Sequence, residues 1–438
     1  QAEDGIRDSV ASRGLGDVYK RQEIMTSTSN PINDQSQPLE KGTDFKVIGL
    51  IGVAHFFSHF YIYLLPPLFP FLKTVFDVSY TELGFLLAVF SGTTGLTQIP
   101  FGFLVDKFGA KFILIFGLAI EGIAFTLMGI APGYTMVLVL MIVAGAANGV
   151  YHPADYAILS ASVSKDRMGR AFSLHTFAGY AGFAVAGPII VFLNMYFGWR
   201  LGLAFCGIAG LGTAILLMFY SRHLRHNSKS VSTHVAPVKG NKIPEEHGLK
   251  LLFSFPILMC LGFFALLSLG STGIASFLIV ALGQQHGTDV EIATLILSTY
   301  LVASAVGVLI GGFVADRTQK HNLVAAVCFL STAIIIASIG AFSVNVFLIF
   351  VLMGLMGVMH GAIMPSRDMI VRSVTPDGAF GKVFGFVTSG FSIGGIIAPP
   401  FFGWILDQSE PSYLFFGIAA IMLCSMTTVF TSVRRRAN

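Results

Sequence analysis

Two histidines one helical turn apart, His55 and His59, interrupt an otherwise apolar stretch. Other apolar stretches carry Glu121, His152 with Asp155, His175, His360, and Arg367 with Asp368. An imidazole gains or loses a proton near neutral pH, and a carboxylate beside it can share that proton, so these residue types suit proton handling and solute binding. The metalloprotease pattern HExxH does not occur in the sequence, nor does a phosphate-cradling P-loop, and the GxSxG match at Gly390-Phe-Ser392-Ile-Gly394 lies inside the apolar run 381–405 and not at a strand-to-helix turn. An enzyme is therefore not expected, no cofactor is expected, and any work done must draw on an ion or solute gradient. The four cysteines, Cys206, Cys260, Cys328 and Cys424, fall in apolar stretches without CxxC spacing, and no metal site is expected.

The elements that must position these groups follow from composition. Hydrophobic residues make up 54% of the 438-residue chain and charged residues only 11%, against roughly 25% charged in an ordinary soluble domain. Long charge-free runs result. A membrane-crossing helix needs about 20 apolar residues, because lipid offers the backbone no hydrogen-bond partner. That ruler predicts spans at 45–72, 82–104, 112–131, 134–158, 171–195 and 200–220, then at 251–282, 291–315, 322–342, 344–369, 381–405 and 412–432. The predicted fold class is an all-α membrane protein of twelve transmembrane helices. The 48 glycines suit close helix packing in lipid.

Basic residues gather on alternate connections, among them Lys107, Lys111, Arg170, Arg222, Lys250, Arg317, Lys320 and Lys382, whereas the opposite connections show Lys73 and Arg200. The positive-inside rule then puts both termini and the central linker in the cytoplasm, which an even number of spans requires. The expected organisation is a disordered cytoplasmic segment at 1–44, a six-helix half at 45–220, a linker at 221–250, a second half at 251–433 and a tail at 434–438. Residues 1–22 read as vector-derived sequence ahead of a start at Met25. The basic residues are explained by topology, so no nucleic-acid partner is expected.

An internal repeat supports two related halves. Gly102, Phe103 and Asp106 return as Gly312, Phe313 and Asp316, an offset of 210, and Lys107 is answered by Arg317. Pro153, Gly169, Phe172, Gly182 and Pro188 return as Pro365, Gly381, Phe384, Gly394 and Pro400, an offset of 212. Parallel six-helix repeats place a solute path between them and let one rock against the other.

The run Gly102-Phe-Leu-Val-Asp106-Lys107-Phe-Gly109-Ala-Lys111 resembles the loop signature of the major facilitator superfamily, and Gly312 to Lys320 resembles its weaker second copy. The set His55, Phe69-Pro70, Gln98, Gly102, Asp106-Lys107 and His152-Pro153 is similar to the fosmidomycin-resistance branch of drug exporters, although His59 stands where that branch has an acid. The resemblance implies a secondary transporter of the inner (plasma) membrane, working by alternating access as a monomer in the bilayer. Its expected function is proton-coupled efflux of a drug-like or organic compound. The alternatives are proton-coupled uptake of an organic anion or other metabolite, and a non-transporting receptor or assembly protein.

In that fold the first and fourth helices of each half line the cavity, which makes His55, His59, Asn148, His152 and His360 candidates for solute binding or proton coupling, and Glu121, on the usually peripheral third span, joins them as an intramembrane acid. Gly102, Asp106, Lys107, Gly109, Asp316 and Arg317 are expected to gate by engaging a neighbour in one access state only. Asp155 aligns with Arg367 at the 212 offset and is expected to pair with it when the cytoplasmic side is closed, with Asp368 competing. Gly182, Gly187 and Pro188 are expected to serve helix packing. His175 is a further intramembrane histidine on the fifth span, and Glu121 is expected to turn inward because an ionised carboxylate facing lipid is too costly.

Overall fold

The computed structural model describes residues 43–164, 167–224, 249–376 and 379–434, and all regular structure among them is helical. Most of the expected N-terminal segment and linker, and nearly all of the tail, lie outside the described residues. Eleven helices are long and apolar enough to cross a membrane. One of them, Met168–Phe219, has 52 residues; unbroken it would reach about 78 Å at 1.5 Å per residue, far beyond a hydrocarbon core of roughly 30 Å. It turns back at Gly198, whose φ of 79° is open to glycine and strained for other residues. Twelve spans result. In order they are Asp44–Phe76, Tyr80–Phe108, Ala110–Met128, Tyr134–Ser162, the pair within Met168–Phe219, Phe255–His286, Val290–Arg317, His321–Ala341, Val346–Val374, Lys382–Gln408 and Ser412–Val429.

Two spans read as continuous in the sequence are broken. Span 1 runs as α-helix from Thr43 to Ile62, tightens to a 3-10 turn at Pro66–Leu68 and resumes over Phe69–Phe76. Pro66 and Pro67 cannot donate to the preceding turn. Span 4 divides into Tyr134–Asn148 and Tyr151–Ser162. Pro153 lacks the N–H that would bond the Gly149 carbonyl, and its ring crowds that carbonyl, so the helix breaks one turn upstream. This break lies immediately before His152 and Asp155.

Lipid is as apolar as the side chains, so these helices are held together by close backbone approach and by hydrogen bonds. The approach repeats between halves at atomic level. Gly145 on span 4 lies against the Phe90 carbonyl of span 2, and Gly357 on span 10 lies against the Tyr300 carbonyl of span 8. Gly149 faces Thr94 and Thr97, and Gly361 faces Ser304. These pairs fall at the repeat offsets: 300 follows 90 and 304 follows 94 by 210, while 357 follows 145 and 361 follows 149 by 212. Hydroxyls add to the first contact, with Thr94 Oγ1 donating to Gly145 O at 2.8 Å and Thr97 Oγ1 to Ala146 O at 3.0 Å. Between halves, span 2 packs on span 11 and span 5 on span 8. The described architecture is thus the predicted one, two pseudo-symmetric six-helix halves.

Candidate functional site

Three spans of the first half converge on one carboxylate. Asp155, fully buried, has Oδ2 3.2 Å from His55 Nδ1 of span 1 and 3.1 Å from His175 Nε2 of span 5. The His175 contact has hydrogen-bond geometry. The His55 and His175 rings stack with centroids 3.5 Å apart, while His59 and His152 stand 4.5 and 5.4 Å from His55. Helical spacing explains the company: His59 follows His55 by one turn, and Asp155 follows His152 by three residues on the segment released by the span 4 break. Gly179, one turn beyond His175, leaves room for both imidazoles, since a Cβ there would meet His55 and His59 at 3.0 to 3.1 Å. Among the described residues no Lys or Arg is paired with Asp155, so its charge can be balanced here only by the histidines or by an added cation.

Glu121 belongs to a separate network. It points into the bundle, fully buried, and accepts from Asn148 Nδ2 at 3.0 Å and from Tyr151 OH at 2.7 Å. Asn148 also donates to the carbonyl and hydroxyl oxygens of Ser58. Each carboxylate oxygen thereby has a partner, and spans 1, 3 and 4 are joined through one side chain.

The second half presents a different surface. Arg367 is held between aromatic faces, 4.5 Å over the Phe264 ring and 5.2 Å from that of Phe391, and it pairs with Asp368 of its own helix at 2.8 Å. His360 stands two turns earlier beside Tyr300, with neither ring nitrogen hydrogen-bonded. Arg367 and Asp155 therefore keep separate partners in this conformation, and the pairing expected of them is not formed in it.

The two ends of the bundle differ. At one end Ser79 caps span 2, accepting from Glu82 N while its own N–H donates to the Glu82 carboxylate. The next two orphan donors, Tyr80 N and Thr81 N, go to Asp407 of span 11 at 2.9 and 2.8 Å, and Thr81 Oγ1 adds a third bond at 2.7 Å. Lys73 lies 3.5 Å from the same carboxylate. Gly84 and Gly403 bring the two backbones together around it, facing Pro399 and Tyr80 respectively. The halves are thus fastened here by the helix terminus of one and the carboxylate of the other.

At the opposite end Asp106 and Asp316 are exposed and, among the described residues, carry no hydrogen bond or ion pair, and a Cβ on Gly102 or Gly312 would meet nothing within 4 Å. Lys107 and Arg317 lie over Phe108 and Phe313 of their own helices. Gly109, with φ 95°, makes the turn that lets span 3 start directly after span 2. Gly182 packs against the Phe56 carbonyl of span 1, and Gly187, beside Pro188, lies against Thr294 of span 8.

Of the residues singled out from sequence, the structure brings together His55, His59, His152 and Asp155, and separately Asn148 with Glu121. His360 stands apart from both groups, in the second half. His175 was visible only as one more polar interruption of an apolar run. Asp407 carried a fainter signal, an acid ending one span with the unusual Lys73 on the same side of the membrane.

The major facilitator superfamily model matches residues 51–280 and 261–438. The chain is 24% identical to the fosmidomycin resistance protein of Escherichia coli over 64% of this chain and 68% of that one. It is 24% identical to the "Probable sulfoacetate transporter SauU" of Cupriavidus necator over 87% and 91%, and 23% identical to the hexuronate transporter of Bacillus subtilis over 78% and 82%. Among solved structures, a bacterial homologue of the human lysosomal transporter Spinster superposes with a TM-score of 0.76 at 14% identity, covering 90% of this chain and 98% of the other.

Proposed function

The chain belongs to the major facilitator superfamily, a multi-pass membrane transporter of small solutes and not an enzyme, and from that premise we propose that it exports a small organic anion in exchange for protons. The observation that carries the proposal is the Asp155 carboxylate buried between His55 and His175. A proton added to this group changes the charge of a site shared by spans 1, 4 and 5, so its occupancy favours one helix arrangement over another. Arg367, clamped by Phe264 and Phe391 and only 12% exposed, supplies a fixed positive charge in the other half for an anionic group. Relatives named for sulfoacetate and hexuronate, both acids, agree with an anionic solute. The relative named for fosmidomycin resistance favours export.

Sidedness comes from the charge asymmetry, which places the Asp106 end and both termini in the cytoplasm of a cell whose inner membrane holds the protein. The Asp407 end is then external, and it is the end at which the halves are fastened. Uptake of an organic anion by symport is a second reading, favoured by the longer match to the sulfoacetate and hexuronate relatives.

The test is flux in proteoliposomes of defined orientation, with labelled sulfoacetate, a hexuronate and fosmidomycin as probes and a pH gradient imposed in each direction. Export by exchange predicts that solute runs against the proton gradient and that a protonophore stops accumulation. Solute running with the protons would replace export by uptake. Flux indifferent to the pH gradient would remove proton coupling.

A further inference from the structure

We infer that His55, Asp155 and His175 also form a binding site for a first-row divalent cation of the zinc and cobalt kind. The donor atoms are His55 Nδ1, one Asp155 carboxylate oxygen and His175 Nε2, all within 4.8 Å of one another. The carboxylate oxygen lies 3.2 and 3.1 Å from the two nitrogens. Ligands about 2.0–2.1 Å from a tetrahedral ion stand roughly 3.4 Å apart, so the two nitrogen–oxygen spacings already fit, while the stacked imidazoles would have to turn for both nitrogens to face one ion. Two imidazoles and a carboxylate are the donors that zinc and cobalt take in three-ligand sites with one position left open.

The polar groups of the cluster are incompletely used without a cation. His55 Nδ1 lies near the carboxylate yet makes no hydrogen bond, and Asp155 Oδ1 and His59 Nδ1 are buried with no partner either. An ion shared by two donors sits beside the line joining them. The His55 nitrogen is close to the oxygen but makes no hydrogen bond to it, so the space beside that line is free for a shared ion. The cluster is enclosed, His55 being 3% exposed, His175 2% and Asp155 0%, so orphaned polar atoms are costly there. His59, beside His55, and His152, on the helix of Asp155, stand where a fourth donor or a hydrogen-bonding support for a ligand would be needed.

The site draws one ligand from each of spans 1, 4 and 5, so a bound ion fixes these helices to one another. It also occupies the carboxylate oxygen that a coupling proton would use, so micromolar zinc should inhibit transport. That second statement rests on the proton-exchange reading; binding itself does not.

The experiment therefore measures binding first, in detergent, on tag-free full-length protein stripped with chelator and exposed to ZnCl2 or CoCl2. The inference predicts one ion retained per chain, and an intense tetrahedral absorption band for the cobalt form. Asp155→Asn and His175→Gln should weaken affinity at least tenfold, His175→Cys should keep it by replacing one donor with another, and His286→Gln, outside the cluster, should leave it unchanged. A chain that retains no ion, a cobalt spectrum of octahedral type, or equal retention in Asp155→Asn and His175→Gln would each overturn the site. Proton-driven flux that persists in a protein binding no metal would overturn this inference while leaving the proposed function standing.

Discussion

Removing the Asp407 carboxylate should release the fastened end of the bundle without unfolding either half. In Asp407→Ala, span 2 loses partners for Tyr80 N and Thr81 N and the hydroxyl bond from Thr81. Loss of a helix cap costs about 0.5–2 kcal/mol, less than three charge-assisted bonds taken at full value, because water reaches this end and replaces part of what is lost. Lys73 is 40% exposed and contributes little, under about 1 kcal/mol. The sum is about 0.5–3 kcal/mol, and it acts between the halves, so it should change the ratio of the two access states by ~2–150-fold. Spin labels at Val75 and Gln408, both exposed and on opposite halves of this end, would report it by electron–electron distance measurement. The wild type should give one short distance, and Asp407→Ala a population at longer distance. An unchanged distribution in the variant would refute the idea that this carboxylate holds the end closed.

The glycine contacts predict a sharp positional contrast: Gly145→Ala and Gly357→Ala drive a methyl into the facing carbonyls of Phe90 and Tyr300 and should cost ~1–3 kcal/mol, lowering the melting temperature of the purified protein. Gly102→Ala, with open space around it, should leave melting unchanged or slightly raised. If Asp155 and Arg367 meet in the alternate access state, Asp155→Asn and Arg367→Gln should each impair flux and the double variant should be less impaired than their product; strict additivity means that the two act separately. For topology, reporters fused after Arg436 should read cytoplasmic and one at Asp289 external, and a cytoplasmic signal at Asp289 would reverse the assigned sidedness.

The spans were legible because lipid imposes a length and an apolarity that no neighbour can alter, and part of the repeat was legible because Gly182 and Gly394 meet neighbouring helices too closely for a side chain, whereas Gly102 and Gly312 face open space in this conformation. The breaks in spans 1 and 4 were signalled by Pro66, Pro67 and Pro153, but a hydropathy reading carries a run straight through a proline whose neighbours are apolar. The site was half legible. His55 and His59 share a helix face that spacing alone establishes, whereas His175 joins them through the lateral packing of span 5 on span 1, which no spacing encodes. The symmetry that aligned Asp155 with Arg367 is real in the chain. It did not reveal which way Asp155 turns, because the four histidines of its cluster have no counterparts at the matching places in the second half. Asp407 acts on the start of another helix more than 300 residues away, and its partners are backbone groups that every residue type possesses.

The central claim is that the Asp155 cluster exchanges a proton as solute binds. Detergent-purified protein in a nearly unbuffered solution with a pH-indicating dye, mixed with the solute identified by the flux assay, should change the dye signal by up to one proton per chain. Asp155→Asn, which keeps the volume and removes the titrating group, should bind the solute with no proton signal. A variant that releases or takes up as many protons as the wild type would contradict the account.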